Sequence, residues 1–256
     1  MHILITNDDG IHSFGLRVLA QRLGKIGRVS VIAPDRERSA TGHAITVHHP
    51  LRLTPYPNFA ENVESAMSLD GTPSDCVKIG VEAVLATSVD LVVSGLNPGP
   101  NLGTDLLYSG TVAGAVEAVL SGIPAIAAST MSLTVPTEDL EQMADWLGYL
   151  VRKVHQQGLP RETLLNVNFP DCPWEKIKGV RLTRPGVRRY QNVFDKRVDP
   201  RGRIYYWMAG DPVDLDEGED TDAAAVRAGY ISISPVRFNL SDPAIMEEMT
   251  TWQLQV

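Results

Sequence analysis

The chain has 256 residues, 43% hydrophobic and 21% charged, enough to bury one large core and too apolar for a disordered protein. Its 23 Lys and Arg stand against 31 Asp and Glu, and the resulting charge of −8 argues against a duplex nucleic-acid partner, which a positive face would have to meet. The 2 cysteines, Cys76 and Cys172, are too few for a disulfide scaffold and fit a reducing compartment, the cytoplasm by default. No apolar run reaches the roughly 18 residues of a membrane span, and no basic segment precedes the first apolar run, so neither membrane spanning nor secretion is expected.

In chain order, "HILIT" (2–6) is an unbroken apolar run, "GLRVLAQRLGKIG" (15–27) has helical periodicity and "RVSVIAP" (28–34) is a second apolar run. Strand, helix and strand in so short a span make a βαβ unit, and strands apolar on both faces belong to a parallel sheet. A β-ribbon is expected over about 43–55. "SDCVKIGVEAVLA" reads as a helix with Ser74 as N-cap, "DLVVSG" (90–95) as a strand, "TVAGAVEAVLSG" as a helix stopped at Gly122, and "PAIAAS" as the next strand. An amphipathic helix starting near Thr137 or Glu138 leads to the strand "LLNVNFP" (164–170). Residues 1–178 are thus expected to form a doubly wound α/β core on a mostly parallel sheet.

From Gly179 the texture changes. Polar and large side chains alternate around "DPRGR", which predicts a hairpin arm over about 185–210, too long to bury itself and so expected to pack on another subunit. The acidic run 214–222 reads as a solvated loop with Asp222 capping a short helix. It lacks the glycine of an EF-hand loop. "GYISISPV" and "DPAIMEEMTTW" supply a last strand and helix to this extension, 179–256.

Ligands of open α/β sheets bind beyond the carboxyl ends of the strands, where "NDDG", "APDRERSATGH", "SGLNPGPNLG" and "YSGT" all fall. The adjacent carboxylates Asp8 and Asp9 repel each other and call for water or a cation between them, although "NDDG" is equally a plain turn. The oxygen donors at these ends are Asp8, Asp9, Ser39 and Asn97, a set suited to magnesium or manganese; no Cys or His cluster has zinc spacing. All 6 histidines read first as structural or surface residues, and His43 is the one singled out for a candidate role at the site. Ser109, Gly110 and Thr111 open an Ala-rich helix whose free N–H groups and hydroxyls suit a phosphate, a helix cap being the competing reading. "GLNPGPNLG" matches neither the P-loop nor the dinucleotide fingerprint, and no G-x-S-x-G elbow is present.

Taken together, "ILITNDDGIHSFGL", "VIAPDRERSATGHAIT", "DGTPSDCVKIG", "DLVVSGLNPGPNLGTDLLYSGTVAGAVEA", "GIPAIAAS", "LLNVNFP" and "EDTDAAAVRAGYISISP" resemble, in order and nearly end to end, the survival protein SurE family of metal-dependent 5′/3′-nucleotidases. The resemblance implies a Rossmann-like core and hydrolysis of nucleoside 5′- and 3′-monophosphates to nucleoside and phosphate. It implies a divalent ion, magnesium or manganese, held by Asp8, Asp9, Ser39 and Asn97, with Asp8 and Asp9 also the catalytic pair. It implies phosphate contacts from Asn97, Ser109, Gly110 and Thr111, and a swapped C-terminal arm that builds a homodimer or homotetramer. "NPGPN" departs from the more usual residues after the Asn, which leaves base preference open. A broad phosphatase or exopolyphosphatase, and a non-catalytic nucleotide or metal sensor, are the alternative readings.

Overall fold

The chain opens with β1 (His2–Thr6), α1 (Phe14–Leu23), β2 (Arg28–Pro34), β3 (Leu53–Pro55), β4 (Ser65–Leu69), α2 (Pro73–Ile79), β5 (Leu91–Pro98) and α3 (Gly110–Leu120), a βα alternation in which β2 and the short β3 precede β4 without a helix between them. There follow β6 (Ala125–Thr130), α4 (Thr137–Gln157), β7 (Thr163–Phe169) and β8 (Val180–Leu182). The last part holds β9 (Arg188–Gln191), β10 (Phe194–Val198), β11 (Ile204–Met208), β12 (Asp211–Asp214), α5 (Asp222–Arg227), β13 (Ile231–Arg237) and α6 (Pro243–Met249). This computed structural model describes residues 1–256 except 209, 217, 239, 240, 253, 255 and 256.

The main sheet has 9 strands in the order β3-β4-β2-β1-β5-β6-β7-β13-β8. β4, β2, β1, β5, β6 and β7 run parallel, and only β3 and the β13–β8 pair depart from their direction. The expected doubly wound sheet is therefore present. Its central strands are covered on both faces: β1 and β7 are buried at every position. One face packs Leu16, Leu19 and Leu23 of α1 with Leu147 and Val151 of α4. The other packs Val77 of α2 with Val112, Val116 and Val119 of α3. Burying each such side chain is worth about 1.5–3 kcal/mol.

Three local readings change. The expected ribbon over 43–55 reduces to β3, and the backbone before it is held by side chains of the α2 cap, with Thr46 N–H donating to Asp75 and the Thr72 hydroxyl to the Ala44 carbonyl. α2 is capped by Thr72 instead of Ser74: Thr72 and Asp75 satisfy each other's backbone N–H groups in a capping box, and Pro73 takes the first helical position. The acidic run 214–222 is largely paired, since Asp214 meets Arg188 and Arg227, Asp216 and Asp220 meet Arg184, and Asp222 is fully buried.

The extension does not stand apart from the core. β8 and β13 complete the main sheet, while β9 pairs with β12 and β10 with β11 to make the arm, turned at residues 199–203 as the "DPRGR" signal predicts.

Candidate active site

β1 and β5 lie side by side with helices leaving to opposite faces, so a crevice opens beyond their carboxyl ends, at the switch point where such folds place ligands. Thr6 is paired with Ser94 there, which brings "NDDG" and the end of β5 to the same rim. The register of β5 against β6 shifts between Ser94 and Asn97, and Gly95 makes this possible: a Cβ on it would sit 2.4 Å from the Ala128 carbonyl oxygen. The shift pairs Asn97 with Ser129 at the rim, where the Asn97 amide donates to the Gly99 carbonyl (2.7 Å).

Asp8 is buried and docked against the start of α3. The Thr111 hydroxyl donates to Asp8 Oδ1 (2.6 Å), and Arg38 N–H donates to the Asp8 carbonyl (2.7 Å). Gly110 permits this approach, because a Cβ there would lie 2.8 Å from the Asp8 Cβ and 3.0 Å from Asp8 Oδ2. Ser109 is the cap of α3, its Oγ accepting from Val112 N–H (3.1 Å). Its hydroxyl proton remains for another acceptor, as does the Gly110 N–H at the head of the helix.

Asp9 is half-buried, and its Oδ2 has no hydrogen-bond partner and no contact with solvent. Burial, the Asp8 charge and the Glu37 charge push its carboxyl up to about 7, against smaller opposing contributions from the Ser13 and Asn7 side chains. Burial likewise raises Asp8, against the hydrogen bond from Thr111. Among the described residues no Lys, Arg or His forms an ion pair with either aspartate. The site thus concentrates negative charge with an unused carboxylate oxygen, which is the environment a hard cation stabilises.

The remaining candidates are placed less directly. Ser39 is exposed and its hydroxyl donates to Glu37 (2.7 Å), so the "DRERS" loop reaches the site through Arg38 and Glu37 while the Ser39 hydroxyl is turned toward Glu37. The Thr111 hydroxyl is committed to Asp8, which makes it an orienter of that carboxylate. His43 lies outside the site, bonded to the buried Glu117 of α3 (2.8 Å). Sequence reasoning passed over Glu37. Its only signal was its place two residues before Ser39 in the same strand-end loop. Among the described residues no cluster of three or more Cys, His, Asp or Glu suited to a metal occurs, so any ion here must draw on hydroxyl, amide or water oxygens as well.

The survival protein SurE family model matches residues 3–192. The chain is 50% identical over 254 residues to the 5′-nucleotidase SurE of Carboxydothermus hydrogenoformans, covering 98% of this chain and 96% of that one. It is 51% identical over 250 residues to the 5′-nucleotidase SurE of Pelotomaculum thermopropionicum, covering 97% and 94%. Among solved structures, the crystal structure of the SurE protein from Aquifex aeolicus superimposes with a TM-score of 0.85 at 38% identity, over 99% of this chain and 100% of that one. With its motifs, its sheet order and its full-length likeness in agreement, the chain belongs to the survival protein SurE family.

Proposed function

We infer that the protein is a metal-dependent 5′-nucleotidase, a phosphomonoesterase that hydrolyses nucleoside 5′-monophosphates, and 3′-monophosphates with them, to nucleoside and phosphate. The observation that carries this is the unpartnered, buried Oδ2 of Asp9 beside Asp8 in a crevice that holds no paired counter-cation among the described residues. The donor chemistry fits a hard divalent ion, magnesium or manganese, held by Asp8, Asp9 and Asn97, with Ser39 recruited by rotation of its exposed hydroxyl. Bound there, such an ion supplies Lewis-acid charge and a water of lowered pKa.

The chain's own residues do the rest. Thr111 fixes the Asp8 carboxylate, and the adjacent Asp9 carboxylate orients the attacking water. The Ser109 hydroxyl and the Gly110 N–H, at the positive end of the 11-residue α3, receive the non-bridging phosphate oxygens together with the Asn97 amide. Water attacks phosphorus in line, the P–O bond to the nucleoside breaks, one proton of that water ends on the departing nucleoside oxygen, and inorganic phosphate leaves. Direct attack by an aspartate is disfavoured, because aspartyl-phosphate enzymes use a D-x-D spacing and here the carboxylates are adjacent.

Residues 1–178 serve as the catalytic core and 179–256 as the extension that carries the arm. The arm supports a homodimer or homotetramer: Phe194, Val198, Ile204, Tyr206 and Met208 share one face of the β10–β11 hairpin and are all exposed. No helix among the described residues is long and apolar enough to cross a membrane, and the free thiols Cys76 and Cys172 support a cytoplasmic location.

The test is phosphate release from AMP, GMP and p-nitrophenyl phosphate in EDTA and after restoring magnesium or manganese. Metal-dependent release from the nucleotides, lost in Asp9→Asn, is the expected result. Equal turnover of all three substrates would indicate a broad phosphatase, and metal binding without turnover a sensor.

A further inference from the structure

Asp222 is fully buried, carries a charge the mechanism above does not use, and sits far along the chain from the strand ends. It is not the cap of α5; Thr221 is, through a hydrogen bond from Ala224 N–H (3.2 Å). Asp222 Oδ1 accepts from its neighbour Ala223 N–H (2.8 Å) and from Gly186 N–H (3.1 Å). Its Oδ2 accepts from Gly103 N–H (2.7 Å). One carboxylate therefore joins two segments that belong to different parts of the molecule.

Gly186 lies at the root of the arm, two residues before β9. Gly103 opens the turn Gly103–Leu107, which runs directly into Tyr108 and the Ser109–Gly110–Thr111 head of α3. The two glycines meet backbone to backbone, and a Cβ on Gly103 would lie 2.8 Å from the Gly186 carbonyl oxygen. A second tie runs beside the first. Arg188 donates to Asp105 of the turn (3.3 Å) and to Asp214 of β12 (2.7 Å), and the Tyr190 hydroxyl donates to the same Asp105 oxygen (2.8 Å). On its upstream side the segment is fixed to the sheet, where the Asn166 and Asn168 amides both donate to the Asn101 carbonyl (2.9 and 3.0 Å). Between Asn101 and Ser109, the fully buried Asp222 and the largely buried Arg188 both hold the chain.

We propose that Asp222 is a positioning residue for phosphate-ester hydrolysis: through the Gly103 N–H it sets the turn that delivers Ser109 and Gly110 to the phosphate, and through the Gly186 N–H it fastens that turn to the root of the arm. This rests on the reading of Ser109 and Gly110 as the phosphate subsite. An ionised acceptor buried among N–H donors is rigid and costly to disturb, which suits a group that must hold donors to a fraction of an ångström. Asp9 follows β1 and Asn97 lies on β5, both away from this junction, and Asp8 meets the head of α3 through the Thr111 hydroxyl, so a disturbed junction should move the phosphate site more than the cation site.

The test uses the full chain with manganese and compares wild type with Asp222→Asn, in which one accepting oxygen becomes an NH2 facing an N–H. The KM for AMP and the inhibition constant of inorganic phosphate should rise together by about tenfold or more, as expected for a lost charge-assisted hydrogen bond, while the manganese Kd stays within about twofold. Arg188→Met, which cuts the parallel tie and stands if Asp222→Asn does not fold, should raise the same two constants by about threefold. A lowered Tm with both constants unchanged in either folded variant would make these residues structural and overturn the inference, as would a manganese Kd rising in step. Ser109→Ala separates the two readings. If it raises the phosphate inhibition constant and Asp222→Asn does not, the positioning role alone is lost; if it leaves that constant unchanged, the phosphate subsite is misplaced and the inference falls with it.

Discussion

Replacing Asp9 by Asn should stabilise the cation-free protein while abolishing its response to metal. The carboxyl is pushed from 3.8 to about 7 by burial and by the neighbouring charges of Asp8 and Glu37. Its folded pKa lies above the unfolded one, so the stability it confers is complete below about pH 4 and is lost as pH rises through about 7. At pH 8 the ionised form then costs about 4 kcal/mol, which partial solvent access discounts to ~2 kcal/mol. Asn has the same shape without the charge, and for a chain of this length ~2 kcal/mol corresponds to a Tm higher by about 4–8 °C in EDTA. At pH 5 wild-type Asp9 is mostly protonated and the gap should shrink to roughly a third. Saturating manganese should reverse the order, since only wild type gains binding free energy from the ion. Thermal unfolding at both pH values, with EDTA and then with manganese, measures all three effects. A variant less stable than wild type in EDTA at pH 8, or a gap independent of pH, would refute the reasoning that Asp9 is an uncompensated buried charge.

Gly110→Ala would place a Cβ 2.8 Å from the Asp8 Cβ, and the displaced carboxylate should lower kcat/KM by about a hundredfold, against a stability loss of only ~1–3 kcal/mol in thermal unfolding. Protons compete with the cation for Asp9, so the apparent manganese affinity should climb by about tenfold per pH unit up to about pH 7 and then flatten; calorimetric titration across pH reads this directly. Cys76 is fully buried with its thiol pushed well above the ordinary range, and Cys172 is only partly buried, so DTNB should label Cys172 alone in the native protein and nothing in Cys172→Ser. Phe194→Glu with Met208→Glu puts charges at one cross-strand pair on the apolar face of the arm, and light scattering should report a smaller assembly than wild type.

Much of the fold is legible in residue order alone because its signals are local. The unbroken apolar strands, the βα alternation and the "DPRGR" turn each follow from backbone and side-chain chemistry within a few residues, and they determine a doubly wound sheet with an arm. Strand-end reasoning also put Asp8, Asp9, Asn97 and the Ser109–Thr111 turn on one rim, since a parallel sheet brings all its carboxyl ends together. What only the tertiary structure decided is which groups are spent and which are free. Thr111 serves Asp8, Ser39 turns to Glu37, His43 leaves for Glu117, and Asp9 keeps an oxygen with no partner. The cap of α2 moved from Ser74 to Thr72 because Asp75 completes a reciprocal pair there. Asp222 shows the gap most clearly: in sequence it closes an acidic run and reads as the cap of a short helix, yet in space Thr221 is the cap and Asp222 is the buried acceptor joining two segments 83 residues apart, Gly103 and Gly186. Local composition reports a residue's propensity, whereas burial and partnership depend on chain segments that meet only when the sheet closes.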